Sequence, residues 1–197
     1  MKSLRILKVN SDMDKKMNTI EKLISELCPE GVEFKELGEV TSISGAGVDK
    51  KILSNEKPIM LLNYMDVYRN RLIDKSIPSM EVSANDKKIK QCNVLKGDVF
   101  ITPSSETLND IGNSAVAIED IEGVVYSYHI MRLRLKEPNL ITSIFLSYTL
   151  GSHFVQNQIN KMAKGITRFG LTKTQWEKIL IPIPPLPVQE EIVKILD

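Results

Sequence analysis

The sequence predicts a mixed fold in which helices flank a mostly antiparallel sheet, and three observations carry that expectation. Residues Val32 to Lys136 hold short strand signals separated by turn residues. The stretches before and after them carry apolar residues at helical spacing. The composition, 42% hydrophobic and 26% charged with 10 Gly and 9 Pro in 197 residues, is that of a folded domain with one principal core, too short for two ordinary enzyme domains.

The first 16 residues hold five cations against two acids but neither the apolar run nor the cleavage site of a signal peptide, and they read as an unstructured leader. From Met17 onward, Ile20, Leu23, Ile24 and Leu27 share one helical face. Asn18 and Glu21 stand in capping-box spacing, and Cys28-Pro29-Glu30-Gly31 is the stop. Strands are expected at Leu37 to Ile43, Ile59 to Met65, Val94 to Thr102, Ser114 to Ile118 and Val124 to Leu135, with turns at Lys96-Gly97-Asp98 and Glu122-Gly123. In the last of these His129, Met131, Leu133 and Leu135 alternate with Arg132, Arg134 and Lys136, which predicts one buried face and one basic face.

Beyond Pro138 the period becomes helical. Ile144, Tyr148, Val155, Ile159 and Met162 predict one helix of about five turns, ending near Lys164-Gly165. A loop from Gly165 to Leu171 follows, and Ile179 to Ile181 reads as a strand. Four prolines between Pro182 and Pro187 force an extended connector. Val188, Ile192, Ile195 and Leu196 then share one face of a helix opened by Pro187. So short a helix is unstable alone, which predicts a longer helix or a partner that completes it.

Composition and motifs exclude several functions. No apolar run reaches the roughly 18 residues of a membrane span. Cys28 and Cys92 with two histidines supply neither a disulfide framework nor a zinc cluster, which fits a reduced, cytoplasmic setting. The net charge of +1 is smaller than the leader's own excess, so bulk charge gives no support to nucleic-acid binding. The phosphate-loop, dinucleotide, zinc-hydrolase and serine-hydrolase motifs are absent. Gly45-Ala46-Gly47 reads as an ordinary turn, and His129 and His153 read as structural residues, since neither has a base-orienting partner at motif spacing. Pro184-Pro185 lacks the flanking residues of an adenine-methylating site. No catalytic residue, metal site or cofactor of the chain's own is expected.

Two polar loops remain. Pro103 to Asn113 presents Ser104, Ser105, Thr107 and Asn109, whose short side chains suit base edges or phosphates. Lys161 to Lys178 carries Lys161, Lys164, Arg168, Lys173 and Lys178 against Glu177 alone, a local basic footprint. The competing reading is an adaptor without DNA, which would offer the PxxP spacings of Pro182 to Pro187 and its terminal helices to a partner.

Gly165-Ile166-Thr167, Leu171, Gln175 to Ile179 and the run from Ile181 to Ile192 resemble the segment that ends a target recognition domain in the specificity subunit of type I restriction-modification systems. Leu27 to Val40, Lys96 to Thr102 and Ser127 to Leu135 agree in order, so the resemblance spans about Met17 to Asp197. It implies an α+β domain with a coiled, partly β-helix-like sheet and a helical hairpin. Residues 17–187 would be the target recognition domain, and residues 188–197 the start of a long spacer helix. It further implies a non-catalytic chain that reads half of a bipartite site in double-stranded DNA. S-adenosylmethionine and ATP would belong to the partner methylation and restriction subunits. A second recognition domain, or a second copy of the chain, would pair through the helices that present Ile20, Leu23, Ile24, Leu27, Val188, Ile192, Ile195 and Leu196. The DNA-contacting set expected from loop position is Ser104, Ser105, Thr107, Asn109, Lys161, Lys164, Thr167, Arg168 and Lys173.

Overall fold

The computed structural model describes the backbone of residues 2–197 and the side chains from residue 13 onward. Helix α1 (Lys2–Leu27) leads into β1 (Glu33–Glu36), the short α2 (Leu37–Val40) and β2 (Thr41–Ser44). Next come β3 (Lys57–Leu62), α3 (Tyr64–Arg69), β4 (Leu72–Ile73), β5 (Met80–Ala84), α4 (Asp86–Gln91), β6 (Asn93–Val94) and β7 (Val99–Ile101). After β8 (Ser104–Ser105) and a 3-10 turn (Leu108–Asp110) the chain forms β9 (Ser114–Ala117), β10 (Ile121–Tyr126) and β11 (Met131–Leu135). Helices α5 (Ser143–Leu150) and α6 (His153–Met162), β12 (Phe169–Gly170), α7 (Lys173–Glu177), β13 (Leu180–Ile183) and α8 (Leu186–Leu196) complete it.

Strands β2-β11-β7-β9-β4 form a five-stranded sheet and β5-β3-β10-β6 a four-stranded one, while β1 pairs with β13 and β8 with β12. Only the β3–β10 and β4–β9 pairings are parallel, so the mostly antiparallel α+β expectation holds. The five-stranded sheet is buried on both sides. Val99, Ile101, Val116 and Leu133 share a core with Phe145, Leu146, Val155 and Ile159 of the helices. Phe100, Ala115 and Ala117, one position over, share a second core with Leu61, Val82 and Val125 of the other sheet. Each large apolar side chain that is fully buried stabilises the fold by about 1.5–3 kcal/mol.

The basic face expected on the strand at 131–135 is the seam between these two sheets. Arg132 Nη1 donates to Asn93 O at 2.8 Å and to Asn93 Oδ1 at 3.0 Å. Arg134 Nε and Nη2 donate to the two oxygens of buried Asp98 at 2.6 and 2.7 Å. Both guanidinium groups bond partners within the fold, although both residues are only half-buried.

Three local expectations are corrected. Residues 2–16 are helical backbone continuous with α1, so Asn18 is not a cap; Met1 lies outside the described residues. Leu37 to Val40 is a helical turn and not a strand, because Leu37 and Val40 are buried together at i, i+3 spacing and Thr41 Oγ1 closes the turn on Leu37 O at 2.7 Å. The expected five-turn helix is two helices. Gly151 ends α5, and the Ser152 hydroxyl accepts the Val155 N–H to open α6.

The proline connector is embedded. Pro182 lies in β13 opposite Phe34, Pro184 is buried, and α8 begins at Leu186. Each PxxP spacing thus has one proline held in the fold, Pro182 or Pro184, and one exposed, Pro185 or Pro187. The first turn of α8 is fastened by Gln189, fully buried, which donates to Leu140 O and Pro184 O at 2.8 Å each and accepts the Thr142 N–H at 3.0 Å. Helix α1 packs along α8, and Lys16 Nζ donates to Leu196 O at 3.1 Å. Of the eight residues expected to meet a partner's helices, Ile20, Leu23, Ile24, Val188, Ile192, Ile195 and Leu196 pack into this chain's own core, and Leu27 is 52% exposed. Within the described residues, α8 packs against α1.

Candidate nucleic-acid interface

The two polar loops are joined by a strand pair. Phe169 lies opposite Ser105 and Gly170 opposite Ser104, and Leu171 N donates to Pro103 O at 3.3 Å. The second loop is itself closed at its base, where Lys164 and Gly170 exchange N–H···O bonds of 3.1 and 3.3 Å. Arg168 Nε donates to Ser104 Oγ at 3.0 Å, across 64 positions of sequence. Lys164, Ile166, Thr167 and Arg168 are exposed along the resulting double loop.

Neighbouring elements extend this face. Helix α3 is opened by a capping box in which Asn63 and Asp66 bond each other's backbone, and it presents Tyr64 stacked on Tyr68 with ring centroids 6.1 Å apart. Tyr68 Oη donates to Asp110 Oδ1 at 3.4 Å, which ties α3 to the first loop. On the other side Tyr128 and His129 rings lie 3.9 Å apart. The corner they form is braced by the segment after β2, with Val48 N donating to Tyr126 O and Tyr128 N to Val48 O. A Cβ on Gly47 would fall 2.2 Å from the Ser127 carbonyl carbon, so Gly47 permits a close backbone crossing; Gly45-Ala46-Gly47, expected to be a turn, is irregular chain leading to the Val48 bridge.

The electrostatics unite these pieces. Partial burial lowers the pKa of His129 and the charges of Lys50 and Arg168 lower it further, with Asp49 opposing. Burial raises the pKa of Asp66, against its bond from the Asn63 N–H and the charges of Lys50 and Arg69. Lys50 thus acts on both the Tyr128–His129 corner and α3. The face holds cations, aromatic rings and short polar side chains, the mixture that contacts phosphates and bases.

Sequence reasoning reached part of this set. Ser104, Lys164, Thr167 and Arg168 come together, and exposed Thr107 and Asn109 lie farther along the first loop. Ser105 is buried and accepts the Thr107 N–H at 3.3 Å, so it shapes the loop. The Thr107 hydroxyl donates to the Asp110 carboxylate. Lys161 is exposed on the last turn of α6, and Lys173 pairs with Glu177 at 3.5 Å. The face also holds Lys50, Tyr64, Tyr68, Arg69 and Tyr128, which the sequence reading does not single out, and His129, which it takes as structural. The signal for Tyr64 and Tyr68 is their i, i+4 spacing directly after an Asn-x-x-Asp cap, which begins inside the expected strand Ile59 to Met65 and runs past its end.

A pH effect follows if the face meets DNA. A phosphate beside His129 would raise its lowered pKa, so binding would take up a proton and affinity should increase as pH falls from about 8 to about 6. Fluorescence anisotropy across that range checks it. His129→Gln should flatten the profile, and an unchanged slope in that variant would separate His129 from the contact.

Residues 29–197 match the family described as type I restriction modification DNA specificity domain. The specificity subunit of the type I restriction enzyme MjaX of Methanocaldococcus jannaschii is 24% identical over 170 residues, 85% of this chain and 39% of that protein. The fold is similar over its full length to 46% of the HsdS subunit of Thermoanaerobacter tengcongensis, with a TM-score of 0.61 and 20% identity. It is similar over 84% to 38% of the S subunit of a type I restriction-modification system from M. genitalium, with a TM-score of 0.52 and 14% identity. The chain therefore spans less than half the length of each of these relatives.

Proposed function

The chain belongs to the type I restriction modification DNA specificity domain family, and from that premise we propose that it reads one half of a bipartite site in double-stranded DNA for a methylation subunit and a restriction subunit. It carries out neither reaction. The observation that supports this reading best is the β8–β12 pairing, which puts the polar loop and the basic loop on one face with Arg168 held against Ser104. Lys164 and Arg168 would neutralise phosphates and set register, while Ser104, Thr107, Asn109 and Thr167 would stand toward base edges. A second recognition domain, in the same polypeptide or in another copy, would read the other half.

Co-expression with the methylation subunit of the same genome, in a host without DNA methylation, tests the proposal by mapping modified adenines. A new motif that disappears when this chain is omitted is the expected result, and a two-fold symmetric motif would mean two copies of this domain. A stable complex that leaves DNA unmodified at any motif would overturn the DNA-reading role.

Phosphate contact by Arg168 has its own signature. Arg168→Ala should weaken binding to every DNA sequence alike and make the slope of log affinity against log salt shallower by about one. Titrations at three or more salt concentrations measure this, and an unaltered slope would remove Arg168 from the phosphate contacts.

A further inference from the structure

Ile166 is 94% exposed, the highest value among the exposed large apolar residues of the described chain; the next, Ile52, is 69% exposed. It stands at the apex of the loop closed by Lys164 and Gly170, with a cation two residues away on either side, Lys164 and Arg168. The loop is narrowly defined. Gly165 has φ +156°, and a Cβ there would fall 1.8 Å from Arg168 O, so the backbone doubles back too tightly for a side chain. The Arg168–Ser104 bond and the β8 pairing brace the descending arm. A branched apolar side chain is thus held away from its own core, in the middle of a basic and polar surface.

From this geometry we infer that Ile166 is a specificity-determining contact that packs on the C5-methyl group of a thymine in the DNA major groove. The inference rests on the DNA-reading role proposed above. An apolar side chain between cations needs a ligand that is apolar where it meets the tip and anionic on both flanks. In duplex DNA the thymine methyl is the apolar feature that lies in the groove between phosphate backbones without any base leaving the stack. Insertion of Ile166 between base pairs would also cover it, but at the added cost of unstacking a step. The methyl contact is therefore the favoured arrangement.

The test uses the complex of this chain with the methylation subunit and duplexes containing the mapped motif. Each thymine of the half-site is replaced in turn by deoxyuridine, which removes only the methyl group. Wild-type complex should lose about fourfold in affinity at one thymine, the worth of one methyl group returned to water. Ile166→Ala should bind the unmodified site more weakly and be indifferent to deoxyuridine at that position. Because Ile166 makes so little contact with its own chain, the variant should unfold at the wild-type temperature, so that weaker binding cannot be put down to unfolding. Equal deoxyuridine penalties in both proteins, or no penalty at any thymine of the half-site in the wild-type complex, would overturn the inference while leaving the DNA-reading role intact. So would a rise in 2-aminopurine fluorescence on binding that Ile166→Ala abolishes, since that reports an unstacked step. Absence of any sequence-selective binding by the wild-type complex would instead overturn the parent role and the inference with it.

Discussion

Gln189→Ala is expected to destabilise the domain by about 3 kcal/mol, because it strips three backbone groups, one buried and two part-buried, of their partners at once. The side-chain amide bonds Leu140 O, Pro184 O and the Thr142 N–H, so a single residue joins the proline connector, the first turn of α8 and the capped start of α5. Water cannot replace it, since Gln189 is fully buried. Urea unfolding should show a lower midpoint with an unchanged slope. Gln189→Glu should also be damaging, because it puts an acceptor where Leu140 O and Pro184 O need a donor. A midpoint within experimental error of wild type in both variants would remove Gln189 as the fastener. The run from Ile181 to Ile192 carries the likeness to a family, and its glutamine has a purely structural reason to be where it is.

The second large effect is expected at Gly165. Gly165→Ala places a methyl group against Arg168 O, and the clash is with backbone, so no side chain can turn away to relieve it. The loop must open, separating Arg168 from Ser104 and breaking the Lys164–Gly170 exchange. DNA affinity should fall about tenfold or more for each charge-assisted hydrogen bond to DNA that the displaced loop can no longer make. Between Lys164 and Gly170 only the partly buried Phe169 packs against a core, so the unfolding temperature should change by only a few degrees. Anisotropy titration beside thermal unfolding measures both quantities. Normal DNA affinity in a folded Gly165→Ala protein would show that the loop's shape is irrelevant to binding.

The limits of sequence reading fall at identifiable places. Strand character is legible in Val94 to Thr102 and Val124 to Leu135, but the structure breaks each into two strands, β6 and β7 in the first and β10 and β11 in the second, and sends the two halves to different sheets. The basic side of Met131 to Leu135 is correct as a face, and its partners, Asn93 of β6 and Asp98 in the turn before β7, come from distant parts of the chain. The break at Gly151-Ser152 is visible in residue type but masked by apolar spacing, which runs in step across both helices. Leu37 to Val40 fits strand and helical turn about equally by composition, and burial of Leu37 with Val40 decides between them. In the interface Ser105 looks identical to Ser104. Which of two adjacent serines points outward depends on the strand that pairs with them, and that strand lies more than sixty residues away.

Local order along the chain was enough to establish the class of the fold, the absence of the common catalytic motifs, the two loops that bear polar and basic groups, and the likeness to a family. These rest on period, residue chemistry and spacing, which act between near neighbours and survive in a linear reading. Three-dimensional packing made the remaining choices. It turned the terminal helices toward each other and into the chain's own core, closed Arg132 and Arg134 inside a seam, and laid the two loops side by side with Tyr68, Tyr128 and His129 around them. The physical reason is that burial and backbone pairing are settled by partners distant in sequence, so exposure, and with it availability to DNA, is a property of the folded molecule rather than of a residue type.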